Sequence, residues 1–253
     1  MKRRAFITLL GGAAAWPLAA RAQRTAVRRL GVLSLGVPTD DFSKKNIAAF
    51  VQSLNSSGWE DGANLAIDWR WYGADAALAE RQAAEIVAMK PDVIFAPGNP
   101  SVEKVRLQTK SIPVVFTLVS DPVGMGYVDS LARPGGNVTG FMTYDPPIYT
   151  KQLQMLTQIT PPARTVAVLY NLQTAPYANH MLAAMEPAAQ SMGVTLRPAP
   201  CHDETGIEAV MISLAQGGGG LLTIAEIFNQ LHGQLIGSLA LKYKIPTIVF
   251  TPR

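Results

Sequence analysis

This sequence predicts an α/β protein of two doubly wound parallel-sheet lobes, and three observations carry the prediction. The first is the stretch Pro91 to Pro122 (PDVIFAPGNPSVEKVRLQTKSIPVVFTLVSDP), where the apolar runs Val93 to Ala96 and Val114 to Val119 flank a segment of helical character. Short β-branched runs a helix-length apart mark a parallel βαβ unit, whose strands carry few polar interruptions because both sheet faces are covered. The second is a return of this pattern near the end, as Leu221 to Ala225 and Thr247 to Phe250: D-V-I-F-A … S-I-P-V-V-F is matched by G-L-L-T-I … K-I-P-T-I-V-F. The third is strand, helix, strand alternation along 253 residues, a length that accommodates two small lobes.

Each element follows from local pattern. Arg28 to Leu35 reads as the first strand, with Gly36-Val37-Pro38 as its exit loop. Thr39 or Asp40 caps the next helix, in which Phe42, Ile47, Phe50, Val51 and Leu54 recur at helical spacing before Gly58 ends it. Asn64 to Tyr72 alternates, placing Leu65, Ile67, Trp69 and Trp71 on one face of a strand near a sheet edge. Asp75 caps an alanine-rich helix that Pro91 stops. Beyond the first βαβ unit, Gly124 to Leu131 is expected to form a short helix and Val138 to Phe141 a short fifth strand. Asp145-Pro146-Pro147 is the expected crossover between lobes, its prolines stiffening the chain and forbidding a helix there. The second lobe reads as a helix from Tyr149 to Ile159 ended by Pro161-Pro162, a strand Thr165 to Tyr170, and a helix Pro176 to Met192 closed by Gly193. A strand Val194 to Pro198, a helix Glu204 to Leu214 and the loop Gly217 to Gly220 lead into the repeated unit, with one helical segment running to Lys244.

The first 22 residues form a leader: the basic Lys2-Arg3-Arg4, an apolar Phe6 to Leu18, and the small-x-small Ala20-Arg21-Ala22. Such a leader is a secretory signal cut near Ala22-Gln23, and Arg3-Arg4-Ala5-Phe6-Ile7 also fits twin-arginine export. The expected organisation is therefore a signal peptide at 1–22, one lobe at 23–144 and a second at 145–253, exported to the periplasm. The leader holds four of the 22 basic residues and no acid, so 18 basic residues remain against 18 acidic ones. No basic stripe survives to suggest nucleic acid. One cysteine, Cys201, excludes an internal disulfide. A monomer without cofactor is the expected product.

In open α/β sheets ligands sit outside the carboxyl ends of the strands. That rule selects the loops Ser34 to Pro38, Gly98 to Ser101, Ser120 to Pro122, Asn171 to Thr174 and Glu226 to Asn229. They carry the candidate ligand-binding residues Ser34, Gly98, Asn99, Ser101, Asp121, Asn171 and Glu226, a set suited to a small polar solute held by backbone amides and one or two fixed charges. Asp121 and Glu226 end what read as equivalent regions of the two lobes; either would bind a ligand amine or cap a helix. Tyr144, Tyr149, Phe228 and Trp59 are aromatic candidates for stacking, with packing as the competing role. Catalytic sets are thin: His180, His202 and His232 lack metal spacing, Cys201-His202-Asp203 are adjacent and diverge, and Gly217 to Gly220 precedes a strand without the Lys-Ser/Thr pair of a phosphate loop.

The leader RRAFITLLGGAAAWPLAARAQ, LGVLSLG, GWEDGANLAIDWRW, the PDVIFAPGNP loop and IPVVFTLVSDPVGMGYVDSLARPGGNVTGF together resemble a large bacterial family of exported ABC-transporter substrate-binding proteins. The resemblance implies a two-lobed periplasmic receptor, not an enzyme, that closes on a small solute, in some members an aromatic or other amino acid, and delivers it to a membrane permease. It also implies a further tail of several tens of residues past IPTIVF, so that the chain resembles a C-terminally shortened member with an exposed edge on lobe one. Two other readings stand beside it: a non-binding fragment of that family, and an exported α/β enzyme using Asp121 and Glu226 as acid and base.

Overall fold

The computed structural model describes residues 27–73, 75–144, 146–159 and 164–250. The leader, Asp145, the helix-stopping Pro161-Pro162 and the end at 251–253 lie outside the described residues. The first half of the chain folds as β1 (Arg28–Ser34), α1 (Asp41–Ser56), β2 (Leu65–Trp71), α2 (Ala76–Ala88), β3 (Val93–Pro97), α3 (Asn99–Gln108), β4 (Val114–Ser120) and β5 (Val138–Tyr144). These five strands form one parallel sheet in the order β2-β1-β3-β4-β5, with β2 at an edge as its alternation implies.

The second half folds as α4 (Pro146–Ile159), β6 (Thr165–Tyr170), α5 (Ala178–Ser191), β7 (Thr195–Pro200), α6 (Glu204–Gly217), β8 (Gly220–Thr223), α7 (Ile227–Leu231), α8 (Gly233–Tyr243) and β9 (Thr247–Ile248). Its sheet is parallel with the order β7-β6-β8-β9. Setting β6 to β9 against β1 to β4 gives the same order, so the sequence repeat is a repeat of topology. By that correspondence Glu226, which follows β8, matches Gly98-Asn99 after β3. Asp121 follows β4, whose counterpart is β9, so the two carboxylates do not end equivalent regions.

Both sheets are covered on both faces. In the first lobe, Ala79, Ala83 and Ile86 of α2 and Val102 and Val105 of α3 pack with Ile94, Ala96, Val114, Phe116 and Val119. On the other face Phe50 and Leu54 of α1 lie against Leu30, Val32, Trp69 and Phe95. In the second lobe α4 and α5 bury Tyr149, Leu153, Leu156, Met181 and Met185 against Val166, Val168 and Leu222, while α6 and α8 cover Ala167, Leu169 and Leu221. Asp40 and Asp75 cap α1 and α2 through side-chain bonds to backbone amides, Ser43 N at 2.7 Å and Ala77 N and Leu78 N at 2.9 Å.

Three local expectations are corrected. Gly124 to Leu131 forms turns: Met125 N donates to Asp121 O (3.0 Å) as in a helix, but Gly126 takes φ +65° and Tyr127 N reaches back to Pro122 O. A left-handed residue there ends the single helical turn. Pro146-Pro147 does not forbid a helix, because it starts one: in the first turn of α4 the missing amides would have had no intrahelical acceptor. The segment to Lys244 is two helices, broken at His232, whose amide and ring Nδ1 both meet Phe228 O, at 3.1 and 2.8 Å.

Candidate functional site

A cleft of about 330 Å³ opens where the strand ends of the two lobes meet. From the first lobe it is lined by the β1 exit at Ser34 to Gly36, by Phe50 of α1, by Trp69 and Trp71 of β2, by Phe95 and Pro97 to Pro100, and by Thr117 and Leu118 of β4. Thr174, Tyr177, Ala225, Glu226, Ile227 and Gln230 line it from the second. The wall on the β2 side is aromatic. Trp69 and Trp71 lie parallel with ring centres 5.4 Å apart, Phe50 stacks on Phe95 at 4.6 Å, and Phe50 meets Trp69 edge-on at 6.0 Å. Period-two alternation puts both tryptophans on the α1 face of β2, and their position near its carboxyl end carries that face into the cleft.

Glu226 is the charged group of the opposite wall. It is 5% exposed and caps α7, accepting from Phe228 N (2.7 Å) and Asn229 N (3.2 Å), while Thr174 Oγ1 donates to its Oε2 at 2.5 Å. Burial pushes its carboxyl up to about 7, against these hydrogen bonds, which favour the ionised form. Near neutral pH the group therefore stands between its two charge states. Tyr177 is fixed beside it by a hydrogen bond from its hydroxyl to Ala225 O at 2.8 Å.

Of the residues singled out in the sequence, Ser34, Gly98, Asn99 and Glu226 line the cleft together. The side chain of Asn99 is already engaged there: Nδ2 donates to Ser120 O at 2.8 Å and Oδ1 accepts from Ser120 N at 2.9 Å, tying the end of β3 to β4. Ser101 is fully buried two residues further along α3, 2.9 Å from the hydroxyl of Tyr72. Asn171 forms a tight turn, its Oδ1 accepting from Gln173 N at 2.8 Å. Asp121 lies outside the lining and meets His180 Nε2 of α5 at 2.7 Å, a contact between the lobes. Among the other aromatic candidates, Tyr149 is buried in the core, Phe228 packs on the His232 ring and Trp59 lies on the surface. The side chain of Tyr144 is outside the described residues. The aromatic wall was missed, although its signal was present: two tryptophans two positions apart at the end of a strand that precedes a capped helix.

No group of three metal-binding side chains occurs among the described residues, and no described helix is long and apolar enough to cross a membrane. Two doubly wound lobes facing a shared cleft define a two-lobed α/β binding-protein fold. A family model described as ABC transporter substrate binding protein matches residues 38–252, and the chain belongs to that family. The tyrosine-binding protein of Clostridioides difficile (strain R20291) is 37% identical over 134 residues, which is 53% of this chain and 37% of that protein. The chain thus matches little more than a third of that relative's length. A conserved domain protein from Vibrio cholerae has the same fold, with a TM-score of 0.73 at 24% identity over 87% of this chain and 73% of its own. So does an ABC domain from Streptococcus pneumoniae in complex with L-Trp, at 0.73 and 20% identity over 90% and 75% of the two chains. The ligand-free, open structure of a substrate binding protein with adhesive properties from Clostridium difficile is 26% identical, with a TM-score of 0.59 over 88% of this chain and 74% of that one.

Proposed function

We propose that this chain is the solute-binding component of an ABC importer, and that it holds an amino acid with an aromatic side chain in the cleft between its lobes. The observation that carries the reading is the pairing of the Phe50, Trp69, Trp71 and Phe95 wall with a buried carboxyl, Glu226, across one cavity of about 330 Å³. An aromatic ring stacks on the wall. The ligand ammonium faces Glu226, and the ligand carboxylate faces the start of α3, whose dipole favours an anion. Ser34, Gly98 and Asn99 shape that end of the cleft. Ser101 and Asn171 act behind it, by fixing Tyr72 and the Thr174 turn, and Asp121 acts between the lobes. The names of two relatives, one tyrosine-binding and one in complex with L-Trp, support the ligand class.

In this reading residues 1–22 export the chain to the periplasm, and units 23–144 and 145–253 close on the solute as a monomer and present it to a permease. The protein does no chemistry on the solute and binds no nucleic acid. An acid–base pair of Asp121 and Glu226 has no geometric support, since Asp121 is bonded to His180 away from the cleft.

Calorimetry of the mature chain against a panel of amino acids tests the proposal. Tyrosine, tryptophan or phenylalanine should bind with micromolar or tighter affinity, and Trp71→Ala should weaken binding at least about tenfold, the loss of about 1.4 kcal/mol. Flat traces across the panel from protein that melts cooperatively would overturn it.

A further inference from the structure

Leu118 is the oddity of the cleft. It is a leucine at φ +55°, a left-handed conformation that its Cβ disfavours, and its side chain is 48% exposed inside a strand whose neighbours Phe116 and Val119 are buried. A regular β4 would place Val114, Phe116 and Leu118 on one face. The β4–β5 register instead shifts between Phe116 and Val119 and again between Val119 and Ser120. That irregularity resets the alternation: Val119 joins Val114 and Phe116 in the core, and Leu118 is turned out to line the cleft. The partner strand accommodates it at Gly140, where φ is +157° and a Cβ would run into the backbone of Phe116. Two strands thus depart from regular pairing and one branched residue holds a disfavoured conformation, with the result that an apolar side chain faces the cavity.

We propose that Leu118 is a specificity-determining residue, an apolar stop that limits the length of ligand the cleft accepts. The inference rests on ligand binding in the cleft. Trp69 and Trp71 lie on β2 and Leu118 on β4, with β1 and β3 between them in strand order, and all three line the one cavity, so a ligand stacked on the two tryptophans and running across the strand ends meets Leu118. Strain held at a binding site points to a role there, and Leu118 combines a disfavoured φ of +55° with exposure into the cleft.

The test is calorimetry and thermal melting of full-length mature wild type, Leu118→Ala and Leu118→Gly, with tyrosine and tryptophan as ligands. Glycine accepts the left-handed conformation, so Leu118→Gly should melt at or above the wild-type temperature while the ratio of tryptophan to tyrosine affinity moves at least about tenfold toward tryptophan, the effect of a changed apolar wall. Leu118→Ala should move the ratio the same way. An unchanged ratio in both variants, with wild type binding either ligand, overturns the role of Leu118 and leaves the cleft as the site. Absence of binding by folded wild type overturns both.

Discussion

Glu226 gathers the competing forces of the cleft into one side chain. Its carboxyl is buried, which favours the neutral acid, and it accepts from a hydroxyl and two amides, which favours the anion. Burial prevails and the group titrates near 7 instead of near 4.5, a difference worth about 3 kcal/mol in the folded state. The sign follows from linkage. Between those values the folded chain binds more protons than the unfolded one, so stability is fully present below the ordinary carboxyl value and is lost as pH rises through about 7. Denaturant titrations from pH 5 to 8 should show that decline, and Glu226→Gln should remove most of it; a slope unchanged in the variant would mean another group is responsible. A ligand ammonium stabilises the anion. Binding of an amino acid should therefore weaken by up to about tenfold for each pH unit below about 7 and release a proton, which calorimetry in buffers of different ionisation enthalpy reads directly.

Elements differ in how openly their sequence declares them. The strands and most helices of both lobes were legible because apolar runs bounded by Gly, Pro and Asp report burial locally, whereas the order of the strands came from the structure. Asp75 and, as one of two choices with Thr39, Asp40 could be read as caps from position alone, and both accept from backbone amides; Asp203, read only as part of a loop, caps α6 in the same way. The shape of the cleft was less legible. Val114 to Val119 reads as an unbroken strand, and the irregularity that exposes Leu118 shows only in its pairing with β5. Trp69 and Trp71 read as the buried face of an edge strand, since alternation gives the face but not how far along it the covering helix reaches. Pro146-Pro147 was misread because proline breaks helix interiors and suits helix starts, and the sequence alone does not say which it meets. Asn99 and Ser101 were chosen by loop position, yet tertiary partners had engaged their side chains. The cap on α1 gives a test at this scale. Asp40 holds Ser43 N and Ser43 Oγ, both at 2.7 Å, and reaches Val37 N at 3.3 Å, so it anchors the loop that leads out of the cleft from β1. Asp40→Ala should lower stability by about 1 kcal/mol, read as a reduced melting temperature, and should weaken ligand binding by less than the loss of an aromatic wall residue.

Across the whole molecule, Asp121 and His180 join the exit of β4 to α5, one residue from each lobe, at 2.7 Å. Asp121 takes φ +45° to reach this position, its Oδ1 also accepts from Gly124 N at 3.0 Å, and its side chain is 14% exposed against 44% for His180. A pair this accessible on one side contributes about 0.2–1 kcal/mol, too little to hold two lobes rigidly but enough to shift an equilibrium between arrangements up to about fivefold. The same segment of β4 carries Leu118, so a ligand pressing on the cleft wall and a contact between lobes share one short stretch of chain. His180→Ala and Asp121→Asn should therefore change the distribution of lobe arrangements while leaving each lobe folded. In small-angle scattering both variants should give a larger radius of gyration than wild type without ligand. Identical scattering from all three proteins, with unchanged melting, would show that the contact follows the arrangement of the lobes and does not help to set it.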